Sequence, residues 1–157
     1  VRRHGLAIQY VRDDRGPSWA YSIGLEAWRH PEAVVMGIDA ASAAQLLEAF
    51  HLVVASGELL TTGRADELEL AGVRCGLVRV DPTHLGSESD LIAGAERFWD
   101  RFHRRQIQTA VQIVWSDPDG HLPWEASFDP RFERFQPLLD DPLVDPHAWP
   151  AVLDRQV

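Results

Sequence analysis

The sequence predicts an α+β fold: a mostly antiparallel β-sheet, with barrel-like closure as an open alternative, packed with two main helices in a single domain. Three observations carry this. Apolar residues recur with strand-like spacing in several short segments and with helical spacing in two longer ones. The segments run strands, helix, strands, helix, strand, without the regular alternation of a doubly wound parallel sheet. A chain of 157 residues, 45% of them hydrophobic, can bury one ordinary core without disulfide or metal staples.

Leu6–Arg12 reads as a first strand, and the turn formers Asp13-Asp14-Arg15-Gly16-Pro17-Ser18 end it. In Trp19–Leu25 large and small residues alternate. Trp19, Tyr21, Ile23 and Leu25 are expected to face the core, with Ala20, Ser22 and Gly24 leaving room for a close approach on the other side. A loop follows with Trp28, His30 and Pro31, then the apolar run Ala33–Ile38, which reads as a buried strand. Asp39 can cap a helix whose Leu46, Leu47, Phe50, Val53 and Val54 share a face, with Gly57 at its C-terminal stop. Leu59–Val80 is strand-like and turns at Ala71-Gly72. A second helix is expected from about Ser89 (or Ser87) to Arg105, with Leu91, Ile92, Ala95, Phe98, Trp99 and Phe102 as its apolar stripe. Ile107–Trp115 is the clearest strand, and Ser116–Gly120 is a turn. The reading is one domain over 1–140, with a Pro/Asp-rich tail over 141–157 packed on it or partly ordered.

The formal charge is −9. A nucleic-acid or anionic-membrane surface prefers the opposite sign, so neither is expected as a partner. All fifteen Lys/Arg positions are Arg, and Asn is absent as well. That composition fits a GC-rich bacterial genome and leaves no lysine for a Schiff base or a phosphate loop. The single cysteine, Cys75, cannot form an internal disulfide, and its strand places it on an apolar face as an inert thiol. With no apolar run near the ~20 residues of a membrane span and no leader pattern behind Arg2-Arg3, a cytoplasmic setting is expected.

Three stretches stand in a recognisable order: Trp19-Ala20-Tyr21-Ser22-Ile23-Gly24-Leu25 with His30-Pro31-Glu32; Gln112-Ile113-Val114-Trp115-Ser116-Asp117-Pro118-Asp119-Gly120 with Pro123-Trp124; and Gln136-Pro137-Leu138-Leu139. Together they resemble the bacterial domain-of-unknown-function family 4262 from about His4 to Asp140. Ser116 stands where that family usually has Pro. The resemblance implies a fold and carries no family-wide activity.

The residues that could carry chemistry centre on one loop. His30 and Glu32 are the catalytic candidates. In an extended segment residues two apart point the same way, so the carboxylate would orient the imidazole and raise its pKa. A ligand cleft would be walled by Trp19, Tyr21, Ser22 and Trp28, with Gln112, Trp115 and Trp124 from the later strand and turn. Its occupant would be a small molecule or a planar cofactor of unknown identity, and an enzyme is one form this site could take. The alternative is a non-enzymatic acidic module, of an immunity type, steered to a basic protein partner. The histidines have no metal-binding spacing: His51 and His103 fall on helices near exposed faces, and only His4 could join His30 and Glu32. Asp117-Pro118-Asp119-Gly120 fails the calcium-loop template at its sixth and twelfth positions, Leu122 and Phe128.

Overall fold

The computed structural model describes residues 5–58, 60, 62–86 and 89–147, so His4, Ser87 and the tail from 148 onward lie outside the described residues. Six strands form one sheet: β1 (Ala7–Val11), β2 (Trp19–Ile23), β3 (Glu32–Met36), β4 (Gly63–Leu70), β5 (Val73–Arg79) and β6 (Ala110–Trp115). Their spatial order is β1-β2-β3-β6-β5-β4. Every neighbouring pair is antiparallel except β3 with β6, which run parallel at the centre. The expected α+β class holds. The barrel alternative does not: β1 and β4 remain two separate edges and the sheet stays open.

Chain chemistry explains this order. β3 and β6 are buried at every position, which suits their near-continuous apolar sequence and their place at the centre. The β4–β5 hairpin turns at Ala71 and Gly72, whose φ angles of 50° and 79° give the mirror-image turn that matches strand twist. Helix α1 (Ala40–Ala55) starts where Asp39 accepts a hydrogen bond from the Ser42 amide, and it ends before Gly57 at φ 80°.

The sheet is covered on both faces. On one, α1 buries Leu46, Leu47 and Phe50 against Ala20, Val35 and Ile113. On the other, α2 (Ala93–His103) buries Ala95 and Trp99 against Trp19, Tyr21 and Val34. Alternation in β2 therefore separates two cores, since Ala20 belongs to the first and Trp19 and Tyr21 to the second. Leu25, expected on the face of Trp19 and Tyr21, lies past the strand end in a 3-10 turn and joins the first core instead.

Two features of α2 differ from expectation. It begins at Ala93, not near Ser89, because long-range partners set its start: the Trp19 indole donates to the Leu91 carbonyl (2.8 Å), and the Gly94 amide donates to the Tyr21 hydroxyl (2.9 Å). Phe102, placed in the apolar stripe by periodicity, is 64% exposed. On α1, His51 is buried and not on an open face, while His103 is exposed. Cys75 is fully buried, and burial pushes its thiol up to about 12, which keeps it protonated and unreactive.

After a short 3-10 helix (Pro130–Phe135), the chain is stitched to β6 by side-chain amides. Gln136 accepts from the Trp115 amide (2.7 Å) and donates to the Trp115 carbonyl (3.0 Å). Gln112 donates to the Pro137 carbonyl (2.9 Å) and accepts from the Leu139 amide (2.8 Å). Gly37 lies under this crossing: a Cβ there would meet the Phe135 carbonyl oxygen at 1.8 Å.

Candidate functional site

The β2–β3 connection is short and anchored at both ends. It leaves β2 at Gly24, whose φ of 141° and contact with the Gly5 backbone leave no space for a side chain. Leu25–Trp28 form one 3-10 turn, and Arg29 closes it in the left-handed region at φ 58°. His30 and Pro31 then lead into β3 at Glu32.

Glu32 is the anchor. It is fully buried, and each carboxylate oxygen accepts two hydrogen bonds. One oxygen takes the Ser22 hydroxyl (2.8 Å) and the Leu25 amide (2.8 Å); the other takes the Gly24 amide (2.7 Å) and the Trp99 indole (2.8 Å). Ser22 in turn accepts from the Ala33 amide (2.9 Å). Burial pushes the Glu32 carboxyl up from its ordinary value, and these four donors pull it back. All four positions are filled by donors, so the geometry is that of an ionised carboxylate. Beside it, Glu26 is also buried and raised by desolvation, and Arg105 opposes that through a 3.0 Å ion pair.

His30 faces the other way. Its ring meets Phe50 of α1 edge-on at 5.3 Å, whereas Glu32 reaches toward Trp99 of α2. Glu32 is the first residue of β3, while His30 stands before the strand, so strand alternation does not govern the pair. Glu32 therefore does not orient His30. The imidazole is held by the adjacent backbone, with Nδ1 at 2.7 Å from the Pro31 carbonyl oxygen. A carbonyl can only accept, so Nδ1 carries the proton and the neutral ring presents a lone pair on Nε2. Burial lowers the pKa of His30, partly offset by the Pro31 hydrogen bond, which reverses the expected rise.

The expected aromatic wall divides. Trp19, Tyr21, Ser22, Gln112 and Trp115 are buried, each with a polar atom paired inside the protein; the Trp115 indole, for one, donates to the Met36 carbonyl at 2.7 Å. Trp28 alone of the set is strongly exposed, at 48%, and it meets His51 edge-on at 6.0 Å. Trp124 lies on Gly76 of β5, where a Cβ would come within 2.4 Å of the indole. Trp28 and His30 thus both meet α1, whereas Trp19 and Tyr21 lie in the core on the α2 face and Trp124 lies on β5, so the expected wall is not assembled around the loop.

A groove of about 500 Å³ lies away from this loop, between the β4–β5 turn and the turn after β6. Arg74, Asp117 and Phe132 line it. Its guanidinium is engaged by Glu67, Glu125 and the Gly120 carbonyl. Asp117 accepts from the amides of Asp119, His121 and Asp129, the self-bonded turn expected for this stretch. Among the described residues no cluster of three or more His, Cys, Asp or Glu side chains is arranged to hold a metal ion, and no helix is long and apolar enough to cross a membrane.

Sequence reasoning missed Trp99 as the partner of Glu32, because no local pattern links positions 67 residues apart. It also missed Arg97 and Arg101 beside the exposed Phe102; the density of arginine between 97 and 105 was the available signal.

The family described as a domain of unknown function, DUF4262, matches residues 1–129, and the chain belongs to it. No curated protein and no solved structure matches the chain.

Proposed function

We propose that this member of the DUF4262 family binds a small molecule over the loop 25–31, with His30 Nε2 accepting a proton or a hydrogen bond from the ligand. The carrying observation is the 2.7 Å contact between Nδ1 and the Pro31 carbonyl, which fixes the tautomer and leaves Nε2 basic. Exposed Trp28 supplies an apolar wall beside it. Glu32 is a positioning residue: it ties the start of the loop to the end of the loop and to α2, and so holds His30 at a fixed place. If the site is catalytic, His30 is its general base.

Phenol is a suitable probe, since it pairs an aromatic ring with an O–H donor. In nitrogen-detected NMR, phenol should shift His30 Nε2 and the Trp28 indole together. His30→Gln removes the basic nitrogen and should abolish that response without lowering the melting temperature. Binding that survives His30→Gln would refute the reading. The pH dependence has a definite sign. The folded pKa of His30 lies below its ordinary 6.5, so the unfolded chain takes up a proton that the folded chain refuses. Stability should therefore fall as pH drops through about 6.5 and level off below the folded value, and His30→Gln should flatten that part of the curve.

A second reading, an acidic interaction module for a basic protein partner, is favoured by the charge of −9. Binding of a polylysine probe that weakens with salt and ignores His30→Gln would favour it over the first.

A further inference from the structure

The net charge of the chain conceals a local reversal on α2. Four of the fifteen arginines fall between Arg97 and Arg105. Arg105 is neutralised by Glu26 at 3.0 Å. Arg97, Arg101 and Arg104 are exposed, and no carboxylate among the described residues pairs with them. Arg97 and Arg101 are four residues apart, so they stack along one side of the helix. Phe98 and Phe102 run beside them with ring centroids 5.4 Å apart, and the Arg101 guanidinium lies 5.4 Å from the Phe102 ring centre. Phe98 contacts Trp99 at 5.1 Å, so the aromatic row continues inward to the residue that binds Glu32.

A structural role accounts for part of this. Cations suit the C-terminal end of a helix dipole, which explains charge at Arg101 and Arg104. It does not explain Phe102, which is 64% exposed between them. Nor does it explain arginine at position 104, where φ is 48° and glycine would fit with less backbone strain.

We propose that this face of α2 is a docking surface for an acidic polypeptide segment that carries an apolar residue. Arginine and aromatic residues are the types that dominate protein–protein hot spots, and guanidinium groups pair bidentately with carboxylates. Phe102 offers the apolar contact at the centre, and the unpaired arginines offer the rim. A polynucleotide is less well matched: the patch is one helix face, and the remaining surface of the chain repels a long polyanion.

The test uses the full chain and a fluorescein-labelled peptide of repeated Glu-Glu-Leu, followed by fluorescence anisotropy. The peptide should bind, with affinity falling as salt rises. Arg97→Glu with Arg101→Glu should weaken binding about tenfold or more, and Phe102→Ser should weaken it severalfold. All three positions are exposed, so Phe102→Ser should leave the melting temperature unchanged, and the charge reversal should lower it only by the small helix-dipole contribution of Arg101, with both variants fully folded under the binding conditions. A matching peptide of Glu-Glu-Ser should bind more weakly than the leucine peptide. Absence of binding, indifference to the charge reversal, or tighter binding of a single-stranded oligothymidylate would each overturn the proposal. So would self-association of the chain in ultracentrifugation that Phe102→Ser abolishes, because a second copy would then be the occupant.

Discussion

The two helices cover opposite faces of one sheet and are held there by different physics. α1 is attached by shape: Leu47 and Phe50 are essentially fully buried in the apolar core of their face, and its start is capped locally by Asp39. α2 is attached by tethers. Its N-terminus has no side-chain cap, and three polar groups of aromatic residues fix it to the sheet: the Trp19 indole, the Tyr21 hydroxyl and its own Trp99 indole. A helix held by shape announces itself in its period. A helix held by tethers depends on residues far away in the chain.

The largest effects come from emptying either core. Phe50→Ala and Trp99→Ala should each cost about 3–5 kcal/mol, read from chemical denaturation midpoints at constant slope. An α2 variant that melts with the parent would show that Trp99 is not the pin of its helix. The contrast sharpens with a replacement that keeps the ring. Trp99→Phe should cost about 2 kcal/mol, because it leaves a buried oxygen of Glu32 short of a donor. A ring-conserving change on α1 breaks no such bond. A smaller loss, about 1 kcal/mol, is expected for Asp39→Ala, which removes the cap of α1 without touching a core. Equal losses for Asp39→Ala and Trp99→Phe would erase the distinction between local capping and long-range tethering. The smallest effect belongs to Phe102→Ser, which should stay within about 0.5 kcal/mol of the parent in a thermal melt, although periodicity assigns that residue to the core.

This contrast explains what the chain revealed before folding. α1 was legible because Asp39, the apolar face and Gly57 are all local signals. The Ala71-Gly72 turn and the buried strands β3 and β6 were legible for the same reason. Hydrophobic period also located α2, but it could not end the stripe at the point where cover runs out, so Phe102 was misplaced. The N-terminus of α2 escaped because Trp19 and Tyr21 lie about seventy residues upstream. The candidate site was half legible. His30 lies in the connection before β3, but Glu32 is already the first residue of that strand, and the two side chains reach opposite faces, toward Phe50 and Trp99. The aromatic wall failed as a cleft because sequence cannot distinguish an indole that faces a ligand from one whose N–H is spent on a carbonyl of its own core, as in Trp115.

The glutamine stitches along β6 bear on where the folding unit ends. The family match stops at residue 129, yet Gln136 occupies both backbone groups of Trp115, and Leu139 closes the side chain of Gln112 and accepts from the Asp81 amide at 2.7 Å. A polypeptide cut at the family boundary would leave the backbone groups of Trp115, the side-chain amide of Gln112 and the Asp81 amide without these partners. Expression of this domain therefore calls for a C-terminal boundary beyond Leu139, and a shorter fragment is expected to be insoluble for reasons unrelated to its function.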